Sequence, residues 1–104
     1  MDIVIKDGVC GKQKTEVNEK NTAVAFGSGD VEVFATPAMI ALMEKTANES
    51  VKELLPEGYV SVGIEINAKH IKASKVGSKI VCESFLSKVE GKKLTFNITA
   101  YDET

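Results

Sequence analysis

The sequence runs to 104 residues, 43% apolar and 27% charged, enough for a single globular domain (1–104) with its own core and too short for two. Its 13 basic and 15 acidic residues are interspersed along the chain and leave a net charge of -2, which excludes the clustered basic footprint of a nucleic-acid binder. The longest apolar run, residues 37–43, is far below the roughly 20 residues needed to cross a bilayer. The N-terminus carries Asp2 and no signal-peptide pattern, so no membrane partner and a cytoplasmic location are expected. Cys10 and Cys82 stand apart, without a CxxC pair or a Cys/His cluster, which argues against zinc and against a disulfide scaffold. Both are expected as free thiols, with Cys82 packed in a strand.

The first thirty residues carry mixed signals, with glycines at positions 8, 11, 27 and 29 and one expected strand over 13–19. Gly27-Ser28-Gly29-Asp30 reads as a loop, because glycine populates positive φ freely and Ser and Asp bond to nearby backbone. Thr36-Pro37 then marks a helix start, with Thr as N-cap and Pro at the first helical position, where its missing N–H costs nothing. The helix is expected to run to about Leu55, before Pro56 and Gly58 stop it. At about 100° per residue, Ile40, Met43, Ala47, Val51 and Leu54 form an apolar stripe opposite Lys45, Glu49, Lys52 and Glu53.

After Tyr59 the pattern switches to period two. Val60, Val62, Ile64, Ile66, Ala68 and His70 alternate with Ser61, Gly63, Glu65, Asn67 and Lys69, which predicts a long half-buried strand with the first set facing the helix. Two more strands are expected over 79–89 and 93–101, joined at Glu90-Gly91-Lys92 by a tight hairpin, with Leu94, Phe96, Ile98 and Ala100 inward. A strand, a long helix and three antiparallel strands make an α+β domain, one sheet curled against one central helix.

Three residues stand out chemically. Glu44 falls at the edge of the apolar stripe rather than on the charged face; it either snorkels to solvent or serves as a base or orienter held by desolvation. His70, the only histidine, closes the inward-facing row and is either a strand-end residue or a proton carrier. Thr36 either only caps the helix or adds a hydroxyl to a helix N-terminus whose free N–H groups suit a developing oxyanion. Spacing alone leaves these alternatives open, and with them whether the three meet in one chain or across a dimer.

The segments VFATPAMIALMEKTA (33–47), SVGIEINAKHIKA (61–73) and EGKKLTFNITAYDE (90–103) together resemble the thioesterases related to fluoroacetyl-CoA thioesterase. The resemblance covers about residues 31–103. It implies a hotdog fold, a long central helix wrapped by a curved antiparallel sheet, and a homodimer or higher homo-oligomer with active sites at the subunit interface. It also implies catalysis by Thr36, Glu44 and His70. His70 and Thr36 would act around the thioester carbonyl, with Glu44 as nucleophile, by way of an anhydride, or as general base on water. Phe34, Ala35, Pro37 and Met43 would bind the substrate, a short or small acyl-CoA. No metal or cofactor is expected, coenzyme A being part of the substrate.

Two departures from the family shape the expectation. Where the fluoroacetyl-CoA enzyme has aromatic residues gating the acyl pocket, this chain has Gly27-Ser28-Gly29-Asp30, so an acyl group other than fluoroacetyl is expected. The family also continues beyond the equivalent of Tyr101-Asp102 into a final strand with a Gly, His and Arg pattern, whereas this sequence stops at Thr104; a missing strand would leave sheet edges unpaired, so either a dimer partner repairs the edge or the sequence is a fragment. A non-catalytic acyl-CoA or ligand-binding dimer is the alternative; acyl-CoA hydratase chemistry finds no hydratase motif here. Lys69, Lys72 and Lys75 offer charge for CoA phosphates or simply solvate the outer face.

Overall fold

The computed structural model describes residues 5–103. Its elements are strand β1 (Cys10–Glu16), a one-turn helix α1 (Ala23–Phe26), the long helix α2 (Thr36–Val51) and strands β2 (Lys79–Glu90) and β3 (Lys93–Asp102). The three strands form one antiparallel sheet in the order β1-β2-β3, and α2 packs across it. The α+β class follows.

β2 is central because it is the most apolar strand: Ile80, Val81, Cys82 and Leu86 are all buried. β1 pairs it through Gln13 opposite Cys82, and β3 through Ala100 opposite the same cysteine. β2 and β3 are joined as expected, with Gly91 at φ 60° taking the first central position of a two-residue turn between Glu90 and Lys93. β1 begins and ends three residues earlier than the pattern predicts. The strand stops at Glu16 because Asn18 accepts from the Lys20 N–H and Asn21 accepts from the Asn18 N–H, side-chain bonds that draw the backbone out of the ladder.

Helix α2 keeps its amphipathic character, but its buried face is rotated from the expected stripe. Met39, Leu42, Met43, Thr46 and Val51 are buried, whereas Leu54 lies exposed in a 3-10 turn over Lys52–Leu54. The tighter winding after Val51 carries Leu54 off the helical stripe. Thr46 occupies the core without penalty because its hydroxyl donates to the Leu42 carbonyl. Gly11 on β1 lets the helix come close, since a Cβ there would lie 2.7 Å from both Ser50 Cβ and Ser84 Oγ and 2.8 Å from the Thr46 carbonyl oxygen.

The core divides along the helix. Val17, Phe34, Met39, Leu42, Met43, Ile80 and Cys82 cluster toward its N-terminal half, with Ile98 and Ala100 of β3 against them. Ile5, Val51 and Leu86 cluster at the other end with Leu94 and Phe96. β3 therefore runs antiparallel to α2.

The long strand expected after Tyr59 does not form. Residues 60–73 are outside any strand and make no backbone-to-backbone hydrogen bond among the described residues. Val60, Val62 and Ile64, expected inward, are 84%, 77% and 81% exposed. Ser61 instead faces the helix, donating to Asn48 Oδ1 at 2.6 Å. Period-two alternation suits a chain to a sheet, but a strand exists only where a neighbour supplies the ladder, and a wide trough separates this segment from β3.

Candidate active site

The entry to α2 is fixed from both sides. The Phe34 N–H donates to the Ser74 carbonyl at 2.7 Å, the Ala35 N–H to the Asn21 carbonyl at 2.9 Å, and the Ala23 N–H to the Val33 carbonyl at 2.8 Å. These bonds pin residues 33–35 in extended form, and Ala35, at φ -71° and ψ 139°, is the N-cap with no side-chain cap bond. The expected cap is thus displaced by one residue: Thr36 is already helical and Pro37 follows it. The threonine hydroxyl, released from capping, lies 2.8 Å from His70 Nδ1.

The histidine is held by more than that bond. The Phe34 ring meets the imidazole edge-on, with centroids 6.4 Å apart and planes at 81°. Phe34, Thr36 and His70 line a cavity of about 230 Å³, together with Ala23 and Val33. Ser28, Lys72 and Ala73 complete its lining. The Thr36 and Ala38 N–H groups at the helix start have no hydrogen-bond acceptor among the described residues. A hydroxyl and an imidazole therefore meet beside a small, largely apolar cavity at the start of a helix, equipment suited to a carbonyl whose oxygen takes on charge.

Glu44 is elsewhere. It is exposed, makes no hydrogen bond or ion pair among the described residues, and lines a trough of about 1280 Å³ between α2, residues 60–69 and the start of β3. Eight residues along the helix place it about 12 Å from Thr36. Its carboxylate lies against the backbone of Gly63, where a Cβ would come within 2.6 Å of Oε2. The structure thus brings Thr36 and His70 together and leaves Glu44 in the adjoining trough.

The expected substrate-binding residues divide similarly. Phe34 lines the smaller cavity and Met43 the trough, while Ala35 is wholly buried and Pro37 exposed, neither on the lining of either space. Ser28, in the glycine-rich loop, reaches the cavity because the Gly27 backbone at φ 69° turns the chain back after α1. Ala23, Val33, Ala73 and Gly63 carried no sequence signal for a site; small or aliphatic residues are informative only once the fold sets them beside a reactive group.

Outside the site, both cysteines are free thiols, Cys10 exposed and Cys82 buried in β2. Burial pushes the Cys82 thiol above its ordinary value, opposed by a hydrogen bond with Thr46. Tyr101 is also raised, by donating its hydroxyl to Glu83 at 2.7 Å. Among the described residues no three His, Cys, Asp or Glu side chains gather closely enough to hold a metal ion, and no helix is long and apolar enough to cross a membrane.

This fold has close relatives among solved structures. A hot-dog-like protein from Thermanaerovibrio acidaminovorans superposes with a TM-score of 0.86 at 23% identity, covering 95% of this chain and 73% of that one. The fluoroacetyl-CoA thioesterase FlK superposes with a TM-score of 0.89 at 26% identity, over 95% of this chain and 78% of its own. The domain is therefore a hotdog domain, its long helix laid on a curved antiparallel sheet.

The sequence narrows this further. The profile of the fluoroacetyl-CoA-specific thioesterases matches residues 17–104, and the chain belongs to that family. The fluoroacetyl-CoA thioesterase of Streptantibioticus cattleyicolor is 34% identical over 71 residues, 68% of this chain and 51% of that protein. The chain thus spans about half the length of this curated relative.

Proposed function

We propose that this protein is an acyl-CoA thioesterase that hydrolyses a small acyl thioester to the free acid and coenzyme A. The observation that carries the reading is the 2.8 Å bond between Thr36 and His70 at the lip of a 230 Å³ cavity. That space falls below the range usual for drug-sized ligands and suits an acyl group of a few carbons. The family membership and the solved complex of a FlK variant with fluoroacetate and CoA support the substrate class.

In this reading the Thr36 hydroxyl donates to Nδ1 of His70, which leaves the proton on Nε2 and aims it at the substrate. The imidazole stabilises the charge that develops on the carbonyl oxygen or the departing thiolate, and the free amides at the start of α2 add to that stabilisation. Glu44 supplies the carboxylate, attacking directly or activating water, from its place in the trough beside Gly63. Phe34 and Met43 contribute apolar contacts to the substrate. The reaction draws on side chains and backbone alone, coenzyme A entering as part of the substrate.

We also read the protein as a cytoplasmic homodimer. Two free thiols suit a reducing compartment. A dimer covers the aliphatic row that residues 60–66 leave exposed. The glycine-rich loop in place of an aromatic gate favours an acyl group other than fluoroacetyl.

The test is release of CoA from a panel of acyl-CoAs, followed with a thiol reagent, for the wild type, His70→Ala and Glu44→Gln. Hydrolysis of short acyl-CoAs is expected, with either substitution lowering it by about 10²–10⁴. No release above background, or full activity in both variants, overturns the assignment. The separation of Glu44 from the Thr36–His70 pair favours a second reading, a non-catalytic acyl-CoA-binding dimer; calorimetric binding without turnover would select it.

A further inference from the structure

The cavity at His70 carries two polar side chains that hydrolysis of a thioester does not call on. Ser28 and Lys72 line it beside the Thr36–His70 pair, and Ala23, Val33, Phe34 and Ala73 make up the apolar remainder. No aspartate or glutamate is among the lining residues, so the fixed charge at this space is the Lys72 ammonium. Among the described residues neither that ammonium nor the Ser28 hydroxyl has a hydrogen-bond or ion-pair partner. Both residues are exposed, so water satisfies these groups until a ligand displaces it.

The backbone holds both residues in place. Gly27, at φ 69°, ends α1, and the Ser28 N–H donates back to the Ala23 carbonyl at 2.9 Å. α1 is itself tied to the entry of α2, since the Ala23 N–H donates to the Val33 carbonyl and Thr22 bridges Phe34. On the other side Val33 bridges Lys75, and the Phe34 N–H donates to the Ser74 carbonyl, which fixes the chain just after Lys72. Ser28, Lys72 and the Thr36–His70 pair thus surround one space on three segments joined through residues 33 and 34. Lys72 follows His70 by two residues, so their Cα atoms are at most about 7 Å apart. An acyl chain of a few carbons spans from a carbonyl at His70 to the Lys72 ammonium.

We propose that Lys72 and Ser28 select an acyl group that ends in a carboxylate, so that the substrate is the monothioester of a short dicarboxylic acid. The inference rests on the reading of this cavity as the acyl site and names the substrate class it takes. A neutral alkyl tail strips water from the hydroxyl and the ammonium and puts no hydrogen bond in its place. A terminal carboxylate accepts from both, in a charge-assisted contact with Lys72 and a hydrogen bond from Ser28, while its methylenes meet the apolar lining. The phosphates of coenzyme A are the other anions in the substrate, but the whole pantetheine arm separates them from the thioester. A phosphate would reach Lys72 only by folding back over the reacting carbonyl.

The experiment compares succinyl-CoA with butyryl-CoA, acyl groups of equal carbon number that differ in the terminal carboxylate. CoA release above spontaneous hydrolysis gives kcat/KM for the wild type, Lys72→Met and Lys72→Arg. Calorimetry gives binding of the same two thioesters to Glu44→Gln, with and without Lys72→Met. Succinyl-CoA is expected to be preferred by about 10- to 100-fold, the scale of a hydrogen bond to a charged group. That preference falls toward unity in Lys72→Met and persists in Lys72→Arg. Equal handling of the two thioesters by the wild type, or a preference for butyryl-CoA, overturns the inference. So does a loss of equal size on both substrates in Lys72→Met, which places the lysine on a CoA phosphate. Absence of CoA release together with tighter binding of succinyl-CoA defeats the thioesterase reading and leaves the carboxylate site standing; absence of release and of any binding preference defeats both.

Discussion

Replacing Gly63 with alanine separates the position of the Glu44 carboxylate from the stability of the fold. An alanine Cβ would lie 2.6 Å from Glu44 Oε2, about 0.8 Å inside the 3.4 Å at which ordinary contact begins. The backbone at Gly63 has no positive φ, so alanine is tolerated there, and the obstructing atom is the far end of a flexible, exposed side chain. The carboxylate must therefore move by nearly an ångström while the chain around it stays put. Misplacement on that scale costs a reacting group as much as about 10²-fold in rate, so kcat is expected to fall 10- to 100-fold, about 1.4–2.7 kcal/mol of barrier. Stability should change by less than about 0.5–1 kcal/mol, since the alanine also narrows the unfolded ensemble. Acyl-CoA turnover and a thermal melt on the same sample provide the measurement. Wild-type turnover in Gly63→Ala removes Glu44 from the chemistry, and loss of activity only in step with a lowered Tm shows that the glycine serves folding instead.

The same substitution at Gly11 should behave oppositely: there the new Cβ meets the Thr46 carbonyl at 2.8 Å and the Ser50 and Ser84 side chains at 2.7 Å. Backbone cannot yield as a carboxylate does, so a loss of about 1–3 kcal/mol is expected in urea denaturation; an unchanged midpoint would mean that β1 and α2 are looser than drawn. Leu86→Ala, at a fully buried position in the second core cluster, should cost about 2–5 kcal/mol by the same assay. Of the two thiols, Cys10 should react with an alkylating reagent at pH 8 in the native protein and Cys82 only on unfolding, counted by mass spectrometry. Because burial raises Cys82 in the folded state, the unfolded chain releases this proton first as pH rises past the ordinary 9.0. Stability tied to this group is therefore complete below that pH and declines above it, which denaturation midpoints across pH 8–11 will register.

Much of the architecture is legible in particular residues. Pro37, the apolar run behind it and Pro56 bound a helix whatever surrounds them, because proline acts on its own backbone and that of its neighbours. Gly91 between two alternating segments marks a hairpin for the same local reason. The buried face of α2 was less legible: Leu42 and Thr46 lie inward because of where the sheet lies, and period alone does not distinguish adjacent faces of a helix with apolar residues on both. The candidate site is legible in part. Thr36 and His70 stand 34 residues apart in sequence, and their 2.8 Å contact follows from the backbone bonds that tie residues 33–35 to Asn21 and Ser74.

Sequence by itself determined the elements whose cause is local: the helix over the middle of the chain, the β2–β3 hairpin, the alternation after Tyr59 and the family these segments belong to. Tertiary structure alone decided that Ala35 rather than Thr36 caps the helix, that the threonine hydroxyl turns to the histidine, that Glu44 borders a separate trough, and that the alternating segment stays unpaired. The physical reason is one of range. Propensity and periodicity act between residues a few positions apart, whereas a strand, a shared cleft or a hydrogen bond across 34 residues requires a partner that only the folded chain, or a second copy of it, brings within reach.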